Sequence, residues 1–332
     1  MSLLQQAPRL SAADAVRVAR DLYGLHAAAS PLPSERDQNF LLVSAGDFGA
    51  RGLGTHRHVL KIANATENRA MLEAQNAAMT HIAARLPFCP RVLPTIHGDT
   101  IGTTTGGSYL VRLVTYLEGV PLATISARTA ALLDSLGRAV GRLDNALADF
   151  DHPAIHRDFH WDLVHAARVI NERLPLVRDT GDRRLLEHVS ASALRAIEPH
   201  RDELRRSTVH HDANDWNVLV EGGRVVGIID FGDMVYSWTV ADPAVAVAYA
   251  MLGAADPMET SESIVRAYEA EHPLRQSERA AVFPLACLRL CTSACIAAWQ
   301  QQQRPDDEYL VVSQEPIRRA LPAMAALLQR HG

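Results

Sequence analysis

The chain has 332 residues, 48% of them hydrophobic, and carries 33 Lys and Arg against 38 Asp and Glu for a formal charge of −5. That length can bury two cores, the apolar share is that of a globular protein, and a mildly acidic chain without a Lys/Arg block is a poor partner for nucleic acid. Four cysteines, a first segment (MSLLQQAPRL) without a basic end or apolar centre, and no apolar run of the ~18 residues of a membrane span point to the reducing cytoplasm, with no membrane partner.

Residues 11–22 read as a short helix, and strand-like runs follow at 40–45 and 58–63 after Pro/Ser-rich turns. Residues 66–85 have helical spacing, with Met71, Gln75, Ala78, Met79 and Ile82 on one face, and Pro87 and Pro90 end the helix. Tyr109 to Leu117 alternates enough to be a half-buried strand. This β-β-α-β order predicts a small antiparallel sheet with one helix packed on it. Gly119-Val120-Pro121 marks the link to a second unit, in which helices dominate from about 126 onward and Ala244 to Leu252 is a buried helix. The expected division is 1–118 and 119–332.

The chemistry concentrates in VHHDANDWNVLVEGGRVVGIIDFGD, Val209 to Asp233. Glu221-Gly222-Gly223-Arg224 is a turn signal between two β-rich runs, because glycine accepts positive φ. Folding there places Asn217 opposite Ile228, two residues short of Asp230. Neighbouring strands lie ~4.8 Å apart, so Asn217 and Asp230 can reach one metal ion. Asp212 precedes the hairpin. Phosphoryl transfer needs this set: a carboxylate to orient the attacking hydroxyl, and hard oxygen ligands to hold Mg²⁺ on nucleotide phosphates. Asp212 is accordingly the expected catalytic base, with Asn217 and Asp230 as the Mg²⁺ ligands. A lone Asp-x4-Asn would read as a solvated loop; the ordered set of HxD, Asn, two strands and Asp-Phe-Gly does not.

With Ser34 to Phe40, Val59 to Asn64, Tyr109 to Leu117 and Tyr309 to Ser313 added to it, this string resembles the aminoglycoside phosphotransferase superfamily, and within it the hydroxylysine kinase branch. The resemblance implies an α+β, bilobal protein-kinase-like fold: a small antiparallel-sheet N-lobe that binds nucleotide, and a mainly helical C-lobe that carries the catalytic loop and substrate-binding helices. It also implies 5-hydroxylysine as acceptor, makes GTP as well as ATP a candidate co-substrate, and suggests a functional link to a pyridoxal-phosphate-dependent enzyme. His211 is a departure, since the superfamily usually has Gly there.

Lys61 ends an apolar strand and is expected to neutralise phosphate oxygens, as the strand lysine of kinases does. Its partner should be a Glu on the next helix. Glu67, three residues after Asn64, looks like half of a capping box; Glu73 lies inside the helix, in a segment (Leu72 to Asn76) that resembles the family's, and is the expected partner. Gly49 to Gly54 is not GxGxxG and reads as a structural turn; Ser34, Arg36 and Gln38 are the expected phosphate donors. Backbone groups from Thr115 to Leu117 are expected at the nucleotide base. Asp215 and Asp233 are candidates to meet an ammonium, and Trp216 and Trp238 to face a cation; solvated acids and core aromatics explain these four equally well.

Other patterns carry less. His156-Arg157-Asp158 copies a protein-kinase triplet, but Leu163 stands where the Asn should be, although Trp161 and Asp162 remain near a substrate in this reading. His156 and His160 on one helical face are poor support for zinc without an HExxH. Cys287, Cys291 and Cys295 recur every four residues, which on a helix separates the outer two by ~12 Å, so core packing is expected. The functions left open are a small-molecule kinase for an aminoglycoside, choline, ethanolamine or homoserine-type acceptor, a non-catalytic nucleotide-binding regulator, and a zinc-binding structural protein.

Overall fold

The computed structural model describes residues 8–34, 37–47, 53–104, 107, 109–304 and 313–331. It divides into two compact units, one up to Leu117 and one from Glu118 onward.

In the first unit, α1 (Ala12–Tyr23) begins in a capping box: Ser11 Oγ accepts from Asp14 N, and Asp14 accepts from Ser11 N. Strands β1 (Ala28–Leu32), β2 (Gln38–Asp47), β3 (Leu53–Ile62), β4 (Val92–Leu93), β5 (Gly102–Thr103) and β6 (Leu110–Thr115) form one antiparallel sheet. Its order is β1-β2-β3-β6-β4, with β5 also on β6. Alternation sends Phe40, Leu42, Leu60, Ile62, Val111 and Leu113 to one face, where Ala15, Val18, Ala19 and Tyr23 of α1 complete a core. Lys61, aligned with Asn39 and Arg112 in the register, lies on the other face. There Arg112 Nη1 donates to Asn76 Oδ1 of α2 (Arg69–Ile82) at 3.2 Å. Two helices therefore cover the sheet, one on each face, where the sequence pattern predicts a single helix. Strand β1 is also absent from that pattern: it is an edge strand with an irregular burial sequence and a proline, which edges tolerate. The α2 cap differs as well. Asn68, not Asn64, caps the helix by accepting from Ala70 N at 2.9 Å, while Asn64 closes a turn on Thr66.

In the second unit, β7 (Val120–Pro121), β9 (Val218–Glu221) and β10 (Arg224–Ile228) form one small sheet, and β8 (Arg206–Val209) pairs with β11 (Val235–Trp238). Around them stand α3 (Ala130–Leu147), α4 (Ala166–Arg173), α5 (Thr180–Ile197), α6 (Ala241–Ala250), α7 (Pro257–Glu269), α8 (Gln276–Gln303) and α9 (Gln314–His331). Every residue of α6 is buried. By length and composition α8 is apolar enough to cross a membrane, contrary to the sequence count, because its scattered polar residues break the run without making it polar. It is instead a core helix, with 89% of its most apolar window buried. Its N-terminus is pinned by Glu278, fully buried, which accepts from Arg205 Nε at 2.7 Å, Arg205 Nη2 at 2.6 Å and Arg275 N at 2.8 Å. Cys287, Cys291 and Cys295 are packed inside as expected, and burial pushes the Cys295 thiol up to about 12.

Helices α3 and α7 approach closely at Gly137 and Gly141. A Cβ on Gly137 would overlap the Ile264 carbonyl oxygen and stand 2.7 Å from Ala267 Cβ, so the helices would have to part. Gly137→Ala gains helix propensity but overpacks this contact, and overpacking costs about 1–3 kcal/mol. The variant should unfold at lower denaturant than wild type; an equal or higher midpoint would refute the close approach.

Candidate active site

Strand β8 delivers the chain to His210, whose backbone N–H donates to Asp242 Oδ2 at 2.8 Å; the next N–H, of His211, donates to Asp242 Oδ1 at 2.5 Å. Asp242 lies in the first turn of α6 and is fully buried. This clamp holds His211 at φ 66°, a left-handed conformation that favours glycine. His211 therefore occupies a position at which glycine is free of steric cost. Its ring is buried, which lowers its pKa, and Nε2 accepts from Leu163 N at 3.4 Å.

Asp212 follows, with 17% of its side chain exposed. Oδ1 accepts from Asn214 Nδ2 at 2.8 Å and from Arg289 Nη2 at 2.7 Å; Oδ2 accepts from Asn217 Nδ2 at 2.7 Å. Asn214 also turns the loop, accepting from Trp216 N at 2.8 Å and Asn217 N at 3.1 Å. Burial and the neighbouring Asp233 carboxylate push Asp212 well above the usual carboxylate range, and Arg289 pulls it back.

The hairpin differs from the expected register. Val225 pairs with Val220, but Gly227 pairs with Leu219 and Ile228 with Val218, so Val226 is an extra residue. Asn217 therefore faces Ile229, not Ile228, and Ile229 N donates to Asn217 O at 2.9 Å. The bulge brings Asp230 one residue nearer to Asn217 along the strand. Asp230 is itself left-handed, at φ 65°, and its Oδ1 accepts from Gly232 N at 3.1 Å. The donor set suits Mg²⁺. Asn217 spends its Nδ2 on Asp212 Oδ2 and O, which leaves the amide oxygen for a hard cation beside the Asp230 carboxylate. Among the described residues no cluster of three or more His, Cys, Asp or Glu could hold a metal. Mg²⁺ needs only one or two protein oxygens besides phosphate.

Three supporting groups escaped the sequence reading. Arg289, from α8, is 2% exposed and sits with Cζ 4.4 Å from the Trp161 ring centroid. Asp242 and Asn214 are the others. The only sequence signal for them was residue type. Arg157, in the segment set aside as a chance kinase triplet, donates to Gly232 O at 2.9 Å and Met234 O at 3.1 Å and so braces the turn after Asp230. Asp162 accepts from Ser237 Oγ at 2.5 Å. His156 and His160 do not share a helix; His156 bonds Asp151 at 2.7 Å, and His160 lies against Phe159.

Of the candidate acceptor residues, Asp233 is 6% exposed and acts electrostatically on Asp212 and Arg289. Trp216 is half-buried. Asp215 is pushed up to about 6 by burial, with Arg128 as its charged neighbour. Trp238 is corrected to a core residue: it is 5% exposed, and Arg201 lies 5.7 Å from its ring centroid.

In the first unit, Lys61 lies near the end of β3. The expected Lys61–Glu73 pair is replaced by Arg69–Glu73 at 3.4 Å, an i,i+4 contact on the half-exposed face of α2. Ser34 lies in the turn of the β1–β2 hairpin, and Arg36 lies outside the described residues. Gln38 is corrected from phosphate donor to anchor, because its amide exchanges two 2.8 Å hydrogen bonds with the backbone of Leu10. Thr115 N–H is taken by Arg91 O at 2.9 Å. The Gly49 turn and most of Tyr309 to Ser313 also fall outside the described residues.

A hairpin that presents Asn and Asp beside a braced loop Asp, in a kinase-like fold, defines a phosphotransferase. The chain belongs to the phosphotransferase enzyme family (APH), which it matches over residues 28–280. Among curated proteins it is 30% identical to hydroxylysine kinase of Mus musculus over 92% of this chain and 87% of the relative. It is 29% identical to homoserine kinase of Methylobacillus glycogenes over 69% of this chain and 68% of that one. Among solved structures, a microcompartment-associated aminopropanol kinase superposes with a TM-score of 0.70 at 20% identity, covering 96% of this chain and 97% of the other.

Proposed function

We propose that this phosphotransferase moves the γ-phosphate of ATP or GTP to a hydroxyl of a small amine-bearing metabolite, with 5-hydroxylysine as the acceptor. The observation that carries the reading is the bracing of Asp212 by Asn214, Asn217 and Arg289, which aims one carboxylate from a loop otherwise free to turn. The similarity to hydroxylysine kinases along nearly the whole chain supports the choice of acceptor.

Asp212 orients the acceptor hydroxyl and takes its proton as phosphate transfers. Burial and the Asp233 charge raise its basicity, and Arg289 opposes that rise. Asn217 and Asp230 would hold Mg²⁺, which would supply positive charge to neutralise the phosphates. Lys61 adds a cation to the phosphates, Ser34 and Arg36 donate to phosphate oxygens, and Leu117 offers backbone to the base. Asp233 takes the acceptor's amine, with Asp215 and Trp216 at its edge. Most of the acceleration comes from positioning and fixed charge. A cytoplasmic setting and a functional link to a pyridoxal-phosphate-dependent enzyme that uses the product belong to the same proposal.

Coupled phosphotransfer with Mg²⁺ and ATP or GTP, across 5-hydroxylysine, ethanolamine, choline, homoserine and kanamycin, tests it. Turnover is expected with 5-hydroxylysine; turnover confined to another acceptor would overturn the substrate, and Mg²⁺-dependent nucleotide binding without any turnover would favour a regulatory protein. Asp230→Ala should remove the Mg²⁺ dependence of nucleotide binding, read by titration with and without the ion. Unchanged dependence would refute Asp230 as a ligand.

A further inference from the structure

Arg289 has more donor capacity than its partner uses. A guanidinium carries five N–H groups; Asp212 takes one of them, through Nη2, and the Tyr249 hydroxyl is a further hydrogen-bonding neighbour of the same group. The Nε and Nη1 atoms are buried and have no hydrogen-bond partner among the described residues. Holding Asp212 alone would need a single donor. Planar guanidinium is the side chain suited to carboxylates, and buried donors without acceptors are rare enough to point to a missing group.

The surroundings narrow what that group is. Asp212 and Asp233 are the carboxylates whose charge bears on Arg289, and Tyr249 is the other titratable neighbour, its ring centroid 5.8 Å from Cζ. His211 also feels Arg289 and is buried, which favours its neutral form. Anion and cation thus stand side by side in one small region. A ligand that matches it carries both an amine and a carboxylate. Trp161, partly exposed, stacks against the guanidinium, with Cζ 4.4 Å from its ring centroid.

We propose that Arg289 reads the carboxylate of the acceptor through Nη1 while Asp233 meets its amine, which makes the enzyme selective for amino acids over simple amino alcohols. This rests on the kinase reading above and narrows its substrate class. Arg289 is then a specificity residue as well as the positioning partner of Asp212.

The test is a cycle of two acceptors and two proteins: 5-hydroxylysine and 1,5-diamino-2-pentanol, the same molecule without its carboxylate, with wild type and Arg289→Gln. Loss of the Asp212 contact slows both acceptors alike, so the ratio of their kcat/KM isolates the carboxylate. Wild type should prefer 5-hydroxylysine, and the preference should fall by about 10- to 100-fold in Arg289→Gln, mainly through KM. An unchanged ratio, or a wild type that uses both acceptors equally, would overturn the proposal. Arg289→Lys, which keeps the charge, guards against misfolding and should keep part of the preference. Calorimetric titration with the same two compounds separates this idea from the kinase reading. Binding by wild type that needs the carboxylate, and is lost in Arg289→Gln, supports the receptor even without turnover. Carboxylate-independent binding, or no binding of either compound, overturns it whatever the assay of turnover shows.

Discussion

Asp212→Asn should lower kcat by roughly two to four orders of magnitude, the share that a positioned general base supplies, while leaving nucleotide affinity unchanged. The amide keeps the size of the carboxylate and an oxygen for Arg289 but sets an N–H against the Asn217 amide, so the fold survives with a smaller loss of stability than in Asp212→Ala while the chemistry is lost. Asp212→Ala should fail in two ways. It removes the base, and it strands the guanidinium of Arg289, which is 2% exposed. Removing one partner of a buried ion pair costs about 3–5 kcal/mol, and the partial exposure of Asp212 places this case at or below the lower end. The pair of variants therefore separates catalysis from stability: both inactive, but only Asp212→Ala markedly less stable in thermal or denaturant melts. Turnover retained in Asp212→Asn would end the assignment of the base.

The second large effect is expected at a residue that never meets substrate. Asp242→Ala leaves the N–H groups of His210 and His211 buried with no acceptor. Each orphaned donor costs about 1–3 kcal/mol, and the left-handed backbone of His211 loses the contact that holds it there. Nearby Asp144 is 1% exposed, and its Oδ2 accepts from Tyr268 OH at 2.5 Å. Burial and the Asp242 charge push Asp144 well above the usual carboxylate range. Asp242→Ala should lose about 3–5 kcal/mol of stability and most of its activity, and Asp242→Asn, which keeps one acceptor oxygen, should fall between it and wild type. Equal denaturation midpoints for Asp242→Ala and wild type would show that the clamp is not what holds the loop.

The division between what could be read early and what could not follows the range of the interactions. Asp212, Asn217 and Asp230 were legible because a loop, a two-glycine turn and two short strands bring them together within one continuous stretch. Even there the register was off by one, since nothing in Val225-Val226-Gly227 announces a bulge. Strand β1 was missed because an exposed edge with a proline has no alternating pattern to show. Glu73 was matched to Lys61 by kinship of sequence, but its helical neighbour Arg69 is one turn away and wins the contact.

By itself the sequence determined the order of the candidate groups: an Asp before a hairpin, then an Asn and an Asp at its two ends, a set that suits phosphoryl transfer. Only the tertiary structure decided which groups surround that first carboxylate. Arg289 lies 77 residues from Asp212, and Arg157 lies 75 residues from the Gly232 carbonyl it braces. A buried charge takes its partner from whichever helix packs beside it, and helix packing is set by the fit of apolar surfaces far along the chain. No local pattern records that choice, so the residues proposed to select the acceptor emerged only with the fold.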